Sequence, residues 1–128
     1  MAFATKHSDR LRGARILVAD DELLIALDIE DVIVGAGAEA VGPCTTLSST
    51  LSAIENEELS AAILDIRLGR ETSDAAARRL REKNTPFLFY TGQALPEEMR
   101  MFLADAPVLT KPANSQSLVA ALEELINA

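Results

Sequence analysis

Ala61-Ala62-Ile63-Leu64-Asp65 is a run of four apolar residues that ends on a carboxylic acid. A short apolar run of this kind, bounded by turn residues, is typical of a strand buried on both faces. The same pattern, an apolar run followed by polar side chains, occurs three more times: Arg15–Ala19 before Asp20-Asp21, Phe87–Tyr90 before Thr91, and Val108–Thr110 before Lys111. Each run therefore predicts a buried strand with polar side chains at its carboxyl end.

Helical patterns separate these strands. Apolar residues recur at helical spacing between Glu22 and Ala36, at Ile25, Ile29, Val32 and Ala36. Further helices are predicted over 46–57, 73–83, 96–103 and from Asn114 onward, and a weaker strand over 40–42. Because strands that alternate with helices form a parallel sheet covered on both faces, the pattern predicts an α/β fold. We expect a (βα)5 flavodoxin-like three-layer sandwich with strand order 2-1-3-4-5 over residues 14–127, after a flexible tail over residues 1–13.

Composition narrows the class of protein. The 128 residues are 48% hydrophobic and 25% charged, which fits one globular domain. Twenty acidic against twelve basic residues give a net charge of −8, which argues against nucleic-acid binding and allows cation sites. A single cysteine, Cys44, forms no internal disulfide. The longest apolar runs fall short of the ~18 residues that a membrane helix needs. We expect a cytoplasmic protein without nucleic-acid or membrane contacts.

The polar strand ends suggest a reaction. In an open parallel sheet, ligands bind beyond the carboxyl ends of the strands, where the winding of the chain reverses. Three carboxylates gathered there, from Asp20, Asp21 and Asp65, repel one another unless a cation lies among them or one keeps its proton, and hard oxygen ligands suit Mg²⁺. Lys111 and Thr91 would contact the oxygens of a phosphoryl group. A remaining carboxylate can act as a nucleophile and form an aspartyl-phosphate.

This ordered set resembles a known family. Asp20-Asp21, Asp65, Thr91-Gly92 and Lys111-Pro112 occur in the order, and at the strand ends, of the receiver domain of bacterial two-component response regulators. The resemblance spans about residues 14–127. The stretches Asp65–Gly69 and Phe89–Gly92 further resemble an alphaproteobacterial subgroup in which a Thr-Gly motif follows aromatic residues.

The resemblance implies a role for each site residue. Asp65 accepts a phosphoryl group, and Thr91 and Lys111 bind its oxygens, so these three form the catalytic set. The implied Mg²⁺ ligands are three carboxylates and one backbone carbonyl: Asp20, Asp21, Asp65 and the carbonyl of Arg67. The family transfers phosphoryl groups for regulation, so the chain is expected to be a signalling module rather than a classical enzyme.

The resemblance also implies partners. A sensor histidine kinase or a histidine phosphotransfer protein supplies the phosphoryl group, and an unknown protein receives the signal. Because few residues remain outside 14–127, we expect a stand-alone receiver without its own output domain. A monomer or a weak homodimer is expected.

Other interpretations are open. Asp20 or Asp21 could simply cap the first helix. The chain could be an Asp-nucleophile phosphohydrolase, although such enzymes resembling the haloacid dehalogenase group place Asp-x-Asp after strand one. It could also be a degenerate receiver that only binds partners. Finally, Leu23, Leu27 and Val34 lie off the apolar stripe of the first helix and form either a partner face or part of a broadly buried helix.

Overall fold

The sheet has the predicted architecture. A computed structural model describes residues 8–103 and 105–128 of the chain. Its five parallel sheet strands are β1 (Arg15–Ala19), β2 (Glu39–Cys44), β3 (Ala61–Leu64), β6 (Phe87–Thr91) and β7 (Val108–Thr110). Two short strands, β4 (Arg67–Leu68) and β5 (Glu71–Thr72), form a separate antiparallel hairpin. The sheet order is β2-β1-β3-β6-β7. Since β4 and β5 lie outside this sheet, β6 and β7 are its fourth and fifth strands, and the order is the expected 2-1-3-4-5.

Five helices in the described part of the chain cover the sheet: α1 (Leu23–Gly35), α2 (Leu47–Asn56), α3 (Asp74–Glu82), α4 (Glu97–Leu103) and α5 (Ser115–Ile126). Buried residues of α1 and α5 share one hydrophobic cluster with one face of the sheet. Those of α2, α3 and α4 share a second cluster with the opposite face. The three-layer α/β sandwich is therefore confirmed.

Two helices begin at side-chain caps. The Thr46 hydroxyl accepts a hydrogen bond from the backbone N–H of Ser49, and the Ser49 hydroxyl accepts one from the backbone N–H of Thr46. This reciprocal capping box explains how a Ser/Thr-rich segment begins a helix. At the start of α5, the Asn114 side chain accepts from the N–H of Ser117, as the sequence predicts for a cap at this residue.

The buried stripe of α1 differs from the predicted one. Ala26, Ile29, Ile33 and Ala36 are buried, whereas Ile25 and Val32 are only partly buried. Ile29 and Ala36 are thus buried as predicted, whereas the other two buried positions lie one residue C-terminal to the predicted ones, on a helix that packs over both β1 and β2. The residues left open by the sequence, Leu23, Leu27 and Val34, are exposed, so the broadly buried alternative is wrong. Leu24 is exposed as well.

The prediction of a flexible tail over residues 1–13 needs correction for its described part. Residues 1–7 lie outside the described residues. Leu11 is only 2% exposed and joins the cluster of α1 and α5. The backbone N–H groups of Ser8 and Leu11 donate to the carbonyls of Gly35 and Ala36. A lone leucine in a polar segment carries no periodic signal, which is why the sequence pattern did not predict this packing.

The β4–β5 hairpin was not predicted. Its two-residue loop, Gly69-Arg70, has Gly69 at a φ of 70° and joins Leu68 to its cross-strand partner Glu71. Glycine at the first loop position adopts this backbone geometry without steric cost, as two-residue hairpins require. The hairpin begins two residues after Asp65, and so follows the carboxyl end of β3.

No helix within residues 8–103 and 105–128 is both long enough and apolar enough to cross a membrane.

Candidate functional site

Four predicted site residues meet at the carboxyl edge of the sheet. Asp20 and Asp21 follow β1, Asp65 follows the neighbouring strand β3, and Lys111 follows β7. One carboxylate oxygen from each of the three aspartates lies within 4.8 Å of the others. Strand order alone therefore brings together acids that are more than 40 positions apart in the sequence.

Lys111 bridges two of these acids. Its Nζ lies 2.7 Å from Asp20 Oδ2 and 3.0 Å from Asp65 Oδ2. Burial lowers the pKa of Lys111, but the hydrogen bonds to Asp20 and Asp65 outweigh this effect and leave that pKa above its ordinary value. Burial raises the pKa of Asp20, and the nearby charge of Asp65 adds to this, although the bond from Lys111 opposes it. Burial therefore disfavours the charged form of Asp20.

Backbone N–H groups orient each acid. The donor to Asp20 Oδ1 is Glu22 at 2.9 Å, the donor to Asp65 Oδ1 is Ile66 at 2.8 Å, and the donor to Asp21 Oδ2 is Gly69 at 3.0 Å. The N-cap residue, directly before the first residue of α1, is Glu22, and its side chain makes no capping hydrogen bond. Neither Asp20 nor Asp21 is therefore the N-cap of α1, which removes the simplest structural alternative.

Thr91 and Arg67 lie beside this group. Thr91 ends β6, which lies between β3 and β7, and is almost fully buried. Its hydroxyl accepts from the N–H of Gln93 at 3.2 Å, and its carbonyl accepts from the N–H of Lys111 at 2.9 Å. Arg67 begins the hairpin two residues after Asp65, with an exposed side chain. The roles expected for Thr91 and for the Arg67 carbonyl remain predictions.

The donor set fits a magnesium ion. Mg²⁺ prefers a few carboxylate oxygens and retains several waters, and the three acids offer oxygens within 4.8 Å of one another. Asp20 is buried and Asp21 is exposed to solvent, so an ion held among the three acids would keep access to water. Asp20, Asp21 and Asp65 would hold the ion.

Comparison with solved structures supports one family of folds. A response regulator receiver domain from Methanospirillum hungatei JF-1 superposes with a TM-score of 0.80 at 24% identity, covering 89% of this chain and 94% of that one. The receiver domain of the sensor histidine kinase PA1611 from Pseudomonas aeruginosa PAO1, solved with magnesium coordinated in its active site cleft, gives 0.77 at 21% identity, over 91% and 99% of the two chains. This chain has the receiver fold.

A longer protein shows the same likeness over part of its length. The response regulator PhyR from Brucella abortus gives a TM-score of 0.76 at 26% identity, over 93% of this chain and 51% of that one. No protein-family model and no curated protein matches the sequence. The likeness to these structures therefore lies in the three-dimensional arrangement, at sequence identities of 24%, 21% and 26%.

Sequence reasoning did not identify two contacts around the site. The N–H of Gly69, in the loop of the unpredicted hairpin, donates to Asp21 Oδ2 at 3.0 Å. The sequence predicts Tyr90 only as part of a buried strand, yet its hydroxyl accepts from the N–H of Ala113 at 3.0 Å. The signal for Tyr90 was present, because a buried tyrosine hydroxyl usually requires a hydrogen-bond partner.

Proposed function

We propose that this chain is a phosphorylation-controlled signalling receiver in which Asp65 accepts the phosphoryl group. The observation that carries the proposal is the Lys111 ammonium between the carboxylates of Asp20 and Asp65, with Asp21 in the same group. A lysine beside a carboxylate cluster suits an incoming phosphoryl group, because it can exchange its carboxylate contacts for phosphoryl oxygens.

The proposed reaction moves a phosphoryl group from a donor histidine to Asp65. A carboxylate oxygen of Asp65 attacks phosphorus, the bond from phosphorus to the donor histidine nitrogen breaks, and an acyl phosphate forms. The released electron pair stays on the histidine nitrogen, which takes up a proton. Lys111 and the Thr91 hydroxyl bind the phosphoryl oxygens. Bound Mg²⁺ would supply charge neutralisation for the same oxygens, held by Asp20, Asp21, Asp65 and the carbonyl of Arg67.

The partners follow from the same chemistry. The proposed donor is a histidine kinase or a histidine phosphotransfer protein, and the phosphorylated form signals by contact with another protein. We also propose that the chain belongs to the alphaproteobacterial subgroup of receivers, on the strength of Phe89-Tyr90-Thr91-Gly92.

The test uses intact mass. Incubation with Mg²⁺ and acetyl phosphate is expected to add one phosphoryl group to the wild type and none to Asp65→Asn. The matched control is Asp31→Asn, which changes an exposed acid on α1 outside the site and should be labelled like the wild type. An unlabelled wild type, or normal labelling of Asp65→Asn, would refute the proposal. Sustained turnover of p-nitrophenyl phosphate would instead indicate a phosphohydrolase.

A further inference from the structure

Tyr90, the single tyrosine of the chain, occupies an unusual position beside the site. It lies on β6 directly before Thr91, with only 8% of its surface exposed. Its ring belongs to the hydrophobic cluster of α1 and α5, whereas the preceding Phe89 belongs to the cluster on the opposite face. Successive side chains of a strand point to opposite faces of the sheet, so Tyr90 points toward the layer of α1 and α5. The Lys111-Pro112 segment leads into α5.

Tyr90 contacts the residues on either side of Pro112. Its hydroxyl accepts a hydrogen bond from the backbone N–H of Ala113 at 3.0 Å. The Lys111 Nζ lies 5.7 Å from the centroid of its ring, which is within the range of a cation–π interaction. One side chain of β6 thus touches the residue before Pro112 and the residue after it.

We infer that Tyr90 is a positioning residue that holds Lys111 in place for phosphoryl transfer, an inference that rests on the proposed function. A lysine ammonium sits on a flexible stem with many rotamers, and ordering that stem during the reaction would slow the transfer. The Tyr90 ring restrains the ammonium, and the hydroxyl anchors the backbone that carries it. Lys111 is therefore held toward Asp20 and Asp65 before the phosphoryl group arrives.

Two variants separate the two contacts. Tyr90→Phe keeps the ring and removes the hydroxyl, so it should release the Ala113 N–H and leave the ring under Lys111. Tyr90→Leu removes both. The matched control is Phe89→Leu, which also truncates a buried aromatic residue of β6 but lies in the other cluster, away from Lys111.

Two readouts do not depend on phosphorylation. In Tyr90→Phe, the amide of Ala113 should exchange with solvent about tenfold faster, as expected for the loss of one hydrogen bond. In Tyr90→Leu, NMR of lysine labelled at the side chain should show that Lys111 becomes more mobile, with Lys83 as the internal reference. Phe89→Leu should change neither. Unchanged Ala113 exchange in Tyr90→Phe, or unchanged Lys111 mobility in Tyr90→Leu, would overturn the inference.

A third readout tests whether the contacts of Tyr90 affect phosphoryl transfer to Asp65. Labelling of Asp65 by acetyl phosphate should be several-fold slower in Tyr90→Leu than in Phe89→Leu. Equal rates in these two variants would mean that Tyr90 only stabilises the fold, and would overturn the positioning role. If the wild type is not labelled at all, the proposed function fails, and the Ala113 and Lys111 measurements still decide whether Tyr90 fixes the lysine.

Discussion

The ammonium of Lys111 donates a 2.7 Å hydrogen bond to Oδ2 of Asp20, a carboxylate whose side chain is 1% exposed. This pair places a positive charge where three carboxylates converge. The lysine therefore acts as an internal counter-ion. A bound divalent cation would share that function, so Lys111 and the metal should compensate for each other in stability.

Replacing Lys111 tests this compensation. Without divalent ions, Lys111→Met should lower the free energy of unfolding by roughly 2 kcal/mol, because Asp20 is left buried without its cationic partner. Added Mg²⁺ should raise the melting temperature of the variant more than that of the wild type. The control is Arg12→Met, which breaks an exposed ion pair with Asp9 and should cost less than about 0.5 kcal/mol. Thermal unfolding with and without Mg²⁺ measures both effects, and equal Mg²⁺ responses would contradict the compensation.

Asp20 should also make stability depend on pH. Burial raises the folded-state pKa of Asp20 above its ordinary value of 3.8, so the native state binds this proton more tightly than the unfolded chain does. The wild type therefore loses stability as pH rises from the ordinary pKa through the raised one. Asp20→Asn has no charge to bury and lacks this loss. In metal-free buffer the variant should therefore be no more stable than the wild type at pH values below the ordinary pKa. Its free energy of unfolding should exceed that of the wild type by the full amount above the raised pKa.

Asp21→Asn is the matched control for this prediction. Asp21 belongs to the same group but is exposed to solvent, so its neutralisation should change metal-free stability little. Both variants should bind Mg²⁺ more weakly in a calorimetric titration, because each removes one carboxylate from the donor set. A pH-independent difference between Asp20→Asn and the wild type would contradict the proposed cost of burying Asp20.

Much of this site could be predicted because strand order is a property of the whole pattern. Once Asp20 and Asp65 are placed after parallel strands, sheet topology brings them together regardless of side-chain detail. Two hydrogen bonds, from the N–H of Ala113 to the Tyr90 hydroxyl and from the N–H of Gly69 to Asp21, depend instead on the path of individual loops. Periodicity carries no information on such paths, so these contacts emerged only from the structure.

Leu11 shows the same limit at the N-terminal segment. Its side chain is buried and its N–H donates to the carbonyl of Ala36 at 2.8 Å, so the segment is part of the folded domain. Leu11→Ala should lower the free energy of unfolding by about 2–3 kcal/mol, the usual cost of a buried leucine truncation. Arg12→Ala, at the neighbouring exposed position, should change it by less than about 0.5 kcal/mol. Urea unfolding measures both, and equal effects would show that Leu11 contributes little to the domain.

A phosphoryl group at Asp65 is expected to be sensed through the backbone that joins Thr91 to α4. Many receivers carry an aromatic residue three positions before the lysine, and here that position is Val108, a half-exposed side chain with one stiff torsion. A phosphoryl group brings about −1.5 to −2 of charge, which should draw the Thr91 hydroxyl away from the N–H of Gln93. The change should then pass along the backbone from Gly92 into α4, a helix of seven residues with little stability of its own.

Gly92→Ala tests this route without disturbing the resting fold. A Cβ at Gly92 would meet no atom within 4 Å, and its φ is not in the left-handed region, so the variant should fold and gain about 0.5 kcal/mol through a stiffer unfolded chain. In the wild type, beryllofluoride with Mg²⁺ should slow amide exchange over residues 93–103. The stiffened backbone of Gly92→Ala should reduce that change, whereas Met101→Ala, on the exposed side of α4, should retain it. Identical exchange in the wild type with and without beryllofluoride would show that α4 does not carry the signal.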